Sequence, residues 1–106
     1  MDIDNYSKFT ETTWVKKEDP NMEVALAAMG LSGEAGEVVE LLKKSLRDDT
    51  PVDTGKLAKE LGDLAYYLVT ICRLYGLRPS EVIEGNVIKL QDRQRRDAIK
   101  GEGNDR

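Results

Sequence analysis

Two pairs of acids in this chain stand one helical turn apart, Glu34 with Glu37 and Glu60 with Asp63. Residues three apart share a helix face, so each pair presents its carboxylates together. At about 100° per residue, Glu34 falls within the arc of Ala27, Leu31, Val38 and Leu41, with Glu37 at its edge. Glu60 falls among Leu57, Leu64, Tyr67 and Ile71, with Asp63 at the edge. Carboxylates turned toward an apolar interior repel one another and lose their hydration unless a cation compensates. A divalent metal would supply that charge. The chain has no histidine and a single cysteine, so the ligands are hard oxygens, which suits Mg²⁺, or Mn²⁺ in its place, and argues against zinc and against a histidine-containing di-iron site. The competing reading places these acids on a solvated face, paired with Lys43, Lys56 or Lys59. That reading suits one such pair, but two pairs intruding on apolar arcs fit it poorly.

Glycines Gly30, Gly33, Gly36 and Gly62 surround the acids, although each interior glycine costs a helix about 1 kcal/mol against alanine. They remove side-chain bulk where helices, metal and substrate would meet, and close helix crossing would use them in the same way. The elements that must carry the acids are helical by periodicity. The first is expected over residues 2–16, with Ile3, Tyr6, Phe9, Thr10, Thr13 and Trp14 at helical spacing, ending by Pro20. The second is expected over 21–47, with Val24, Ala27, Leu31, Val38, Leu41 and Leu42 on one face, before the loop-forming DDTPVDTG. The third runs over 54–75, packing through Leu57, Leu61, Leu64, Leu68 and Ile71 and stopping at Gly76. Pro79 opens the fourth as its first residue, to about 97, with Val82, Ile83 and Leu90 inward. Four such helices predict an all-α, four-helix bundle-like domain over 1–97, followed by a polar, glycine-containing tail over 98–106.

At 106 residues the chain holds one modest core, which self-association would enlarge. A net charge of −4 disfavours nucleic acid as a partner, since that rewards many cationic contacts to phosphate; DRQRRD at 92–97 dilutes its bases with acids and interleaves no aromatic. The longest apolar stretch, AYYLVTIC, is far short of the roughly 20 residues that span a bilayer, so no membrane association is expected. The lone Cys72 cannot form an internal disulfide and reads as an inert buried thiol, and the start of the chain does not resemble a secretory signal. The expected location is cytoplasmic.

The acid pairs, with 22 residues between Glu37 and Glu60, stand within GLSGEAGEVVELLKKSLRD and KELGDLAYYL. Together with GLRPSEVIEGNVIKLQDR and the closing IKGEGNDR, in that order, they resemble the MazG-like nucleotide pyrophosphohydrolases of the all-α NTP pyrophosphatase superfamily. The resemblance implies hydrolysis of nucleoside triphosphates between the α and β phosphates, to a monophosphate and pyrophosphate, with Mg²⁺ and as a homodimer or homotetramer. It implies metal ligation by Glu34, Glu37, Glu60 and Asp63. Two positions depart from the pattern: Gly33 stands where many relatives have a further glutamate, and Asn104-Asp105 is in the reverse order. Glu37, at the edge of the apolar arc where water reaches, is the candidate catalytic base. Asn86, Lys89 and Arg93, spaced along the fourth helix, are assigned by the resemblance to nucleotide binding. Lys100 and Arg106 on the tail could close over the phosphates, and Trp14, the only tryptophan, offers a flat face for a base. The alternative function is a non-catalytic helical module that binds a nucleotide or a protein partner.

Overall fold

The computed structural model describes residues 1–96, and among them every regular element is α-helical: α1 (Ile3–Glu11), α2 (Pro20–Arg47), α3 (Thr54–Leu74) and α4 (Pro79–Arg95). The helix starts follow from local chemistry. Asp2 accepts from the Asn5 N–H, Asp19 from that of Asn21, with Pro20 at the first helical position, and Asp53 from those of Gly55 and Lys56. The end of α3 is equally local. Gly76 adopts φ +67°, its N–H reaches the Arg73 carbonyl, and the Leu77 N–H reaches that of Cys72, which is the Schellman pattern that favours glycine.

The first helix is shorter than the spacing predicts, stopping at Glu11 instead of near 16. Thr12 and Thr13 take their N–H groups and hydroxyls to the carbonyls of Phe9 and Thr10. These local bonds close the helix with a tight turn instead of extending it. What holds α1 to α3 is largely polar: Arg73 Nη1 donates to the Ser7 carbonyl and to Thr10 Oγ1, both at 3.0 Å.

α2 and α3 form a hairpin across the loop 48–53. The pairing is antiparallel: Glu34 meets Glu60 and Asp63, whereas Gly30, one turn earlier, meets Tyr67, one turn later. A Cβ at Gly30 would collide with the Tyr67 ring, so this glycine makes room for an aromatic side chain. We expect Gly30→Ala to lower stability by about 1–3 kcal/mol, the usual cost of overpacking, read as a lower melting temperature. An unchanged melt would mean that the ring swings away freely. Gly33, Gly36 and Gly62 face open space within this single chain, so the crowding expected there is absent.

The fourth helix departs most from expectation. Arg78 caps its start without a side-chain hydrogen bond. Asp4 of α1 substitutes, accepting from the Ser80 N–H at 2.9 Å and from its hydroxyl at 2.6 Å, and these bonds hold the Asp4 carboxyl below its ordinary range. Beyond that, α4 touches α1 and α3 but not α2. Val82, Ile83 and Leu90, expected inward, are therefore exposed, and so are Leu42, Leu61 and Leu68 on the hairpin. The chain exposes 7967 Å² against roughly 5,900 Å² for a compact monomer of its mass. Its radius of gyration of 16.7 Å likewise exceeds the ~13 Å of a 100-residue globule. Among the described residues the buried apolar side chains are few, Ala27, Val69 and Cys72, and burial pushes the Cys72 thiol up from its ordinary value. No helix among the described residues is long and apolar enough to cross a membrane.

Candidate metal centre

Midway along the hairpin, α2 contributes Glu34 and α3 contributes Glu60 and Asp63, with one carboxylate oxygen of each lying within 4.8 Å of the others. Glu34 and Glu60 are half-buried and Asp63 is exposed, so the group sits at the rim of the helix contact, open on one side. The Glu34 carboxyl is pushed up to about 7. The main cause is that a protonated Glu34 can donate to the Glu60 carboxylate; burial and the charges of Glu60, Asp63 and Glu37 add to it. With Glu34 ionised, its Oε2 is buried and has no donor among the described residues. A buried carboxylate oxygen without a donor, facing two further carboxylates, fits a hard divalent cation.

Glu37, expected among the ligands, is exposed and lies outside this three-acid group. It stands one turn farther along α2, and its charge still acts on Glu34. A helical wheel gives the angular position of a residue on its own helix and not where the neighbouring helix passes.

The acids open onto a cavity of about 300 Å³ lined by Glu34, Asp63, Tyr66 and Tyr67. The two tyrosines also border a second cavity of about 300 Å³, whose walls include Trp14, Lys17 and Leu26. Trp14 is half-buried, with its ring centroid 6.4 Å from that of Tyr66, which in turn meets Tyr67 edge to face at 5.3 Å. A string of aromatic rings thus leads from the acids to the tryptophan. By sequence alone Tyr66 and Tyr67 read as packing residues; the available signal is their position, three and four residues after Asp63 and therefore one turn away on the same side. Tyr6 comes close from α1, its hydroxyl donating to the Gly62 carbonyl at 3.4 Å. Burial, followed by the charge of Asp63, raises the Tyr6 phenol above its ordinary value.

The cationic candidates are elsewhere. Asn86 and Lys89 are exposed on α4 and Arg93 is buried; none of the three lines the acid cavity or appears among the charges acting on Glu34. Lys100 and Arg106 lie outside the described residues.

A family model for the MazG nucleotide pyrophosphohydrolase domain matches residues 23–96, which hold all four acids and the three α4 residues but not Trp14. The gene 37 protein of Mycobacterium phage L5 is 38% identical over 87 residues, covering 78% of this chain and 76% of that protein. No solved structure gives a significant match.

Proposed function

The chain belongs to the MazG nucleotide pyrophosphohydrolase family, and from that premise we propose that it hydrolyses (deoxy)nucleoside triphosphates at the α–β phosphoanhydride, with Mg²⁺ or Mn²⁺, to a monophosphate and pyrophosphate. The observation that carries this reading is the convergence of Glu34, Glu60 and Asp63 from two helices, with one buried Glu34 oxygen left without a donor.

Hydrolysis of a phosphoanhydride builds charge on phosphoryl oxygens as water attacks in line, so positioning and charge compensation dominate. Glu34, Glu60 and Asp63 would hold the divalent ion, with Glu37 joining them or acting alone. The ion, when bound, supplies Lewis-acid stabilisation of the phosphates and of the attacking water. Glu37, exposed and outside the tight group, is the carboxylate left to accept the water's proton. The cavity beside Trp14 offers the base a place to stack. Asn86, Lys89 and Arg93 would bind phosphate oxygens.

Because α4 stands away from α2 and leaves its apolar residues uncovered, we propose that the working form is a homodimer or homotetramer in which these faces are covered and α4 is brought to the acids. The excess of exposed surface is large enough to supply an interface of standard size, about 800 Å² per partner. Sedimentation as a single species of 11.9 kDa would refute the assembly.

The activity is tested by incubating the purified chain with a panel of nucleotides and Mg²⁺ and identifying the products. Monophosphate with pyrophosphate is the expected outcome; release of orthophosphate, or no turnover, would overturn the proposal.

A further inference from the structure

Tyr66 is shared by the acid cavity and the Trp14 cavity, so it borders both the phosphate end and the base end of a nucleotide hydrolysed at these acids; its role rests on the pyrophosphohydrolase reading. Its phenol oxygen lies 2.8 Å from Thr13 Oγ1, a distance that leaves open which hydroxyl donates. The neighbouring bond decides it. Thr13 Oγ1 is also 2.8 Å from the Thr10 carbonyl oxygen, which has no proton to give, and a threonine hydroxyl has only one. The Thr13 proton is therefore committed to Thr10, and the Tyr66 proton is donated to Thr13. What the phenol has left to offer a ligand is a lone pair.

This arrangement is held in place from below. The Thr10 carbonyl also accepts from the N–H groups of Thr13 and Trp14, and the Thr10 side chain is fully buried under Arg73. The acceptor that orients Thr13 is thus part of the closing turn of α1, and a bound base finds a Tyr66 oxygen with a fixed role.

We propose that Tyr66 reads the base by accepting a hydrogen bond from an exocyclic amino group, so that the chain prefers cytosine and adenine nucleotides over their oxo counterparts, those of uracil and hypoxanthine. An exocyclic amine projects beyond the ring and offers two protons. In uracil the only ring donor on that edge, the imide N–H, is flanked by two carbonyl oxygens, which would be brought toward the phenol lone pair and repelled. In hypoxanthine an oxygen replaces the amine, and the remaining donor, the ring N1–H, is set back beside that oxygen. The discrimination requires Thr13, since a phenol freed of that partner turns its own proton outward and accommodates a carbonyl as readily as an amine.

The test compares kcat/KM for dCTP against dUTP and for dATP against deoxyinosine triphosphate, with Mg²⁺, in the wild type and in Tyr66→Phe, Thr13→Val and Thr13→Ser. The wild type should favour the amino member of each pair by about tenfold or more, the scale of one hydrogen bond whose loss leaves a site group unpaired. Tyr66→Phe should bring both ratios toward one whatever the absolute rate. Thr13→Val should lower or reverse them, and Thr13→Ser, which keeps the hydroxyl, should preserve them. The Thr13 pair carries the comparison even if the tyrosine variant folds poorly. Equal rates on matched pairs by an active wild type would overturn the role of Tyr66 and leave the pyrophosphohydrolase reading intact, whereas no turnover of any nucleotide would overturn both.

Discussion

Glu60→Gln is expected to lower kcat/KM for any nucleotide the chain hydrolyses by at least about a hundredfold, since loss of even an outer-shell partner typically costs 10–100-fold and Glu60 is proposed as a direct ligand. The same substitution should leave the melting temperature of the metal-free chain unchanged or raise it. Glu60 stands against Glu34 and Asp63, and a neutral amide removes one of three crowded charges while giving Glu34 a donor that needs no shared proton. Activity and stability therefore move in opposite directions, which separates a ligand from a structural residue. Steady-state kinetics across a Mg²⁺ titration, together with thermal melts in EDTA, make the check. Near-normal activity at saturating Mg²⁺ would remove Glu60 from the centre, and an unfolded variant would make it a packing residue instead.

The metal-free protein should lose stability as the pH rises from about 5 to about 8. Glu34 is raised from 4.5 to about 7, so across that interval the folded chain holds a proton that the unfolded chain has released. Stability falls with pH wherever the native state binds more protons; the loss begins near the unfolded value and is complete above the folded one. A divalent cation takes the place of that proton. Added Mg²⁺ should therefore raise the melting temperature most near pH 8 and least near pH 5, and Glu34→Gln should flatten the profile in EDTA. Melts at several pH values, with and without Mg²⁺, decide the point; a metal-free profile that rises over this interval would contradict the crowding described around Glu34.

Most of the helix boundaries were legible because they rest on neighbours in sequence: Pro79 opens α4 and Gly76 closes α3 where expected, and α2 and α3 begin within a residue of their expected starts. The end of α1 was not, because apolar spacing continues to Trp14 while the threonine hydroxyls close the helix earlier. Three of the four acids expected to converge do so. Glu37 is exposed and lies outside the tight group; a position on one helix does not tell how far its side chain stands from the neighbouring helix. The exposure of Leu42, Leu61, Leu68, Val82, Ile83 and Leu90 has a related cause: periodicity tells which residues share a face and says nothing of what covers it. Of the four glycines expected to make room near the acids, Gly30 alone does so within this chain, and the body it admits is the Tyr67 ring, whose place opposite depends on the antiparallel register.

The carboxylate of Asp4 does for the last helix what no residue of that helix does for itself. The first and last helices are consequently clasped together: anything that peels α1 away, whether clipping, a fused tag or a crowded neighbour, also removes the cap from the start of α4. Additions meant to be harmless therefore belong at a distance from this clasp.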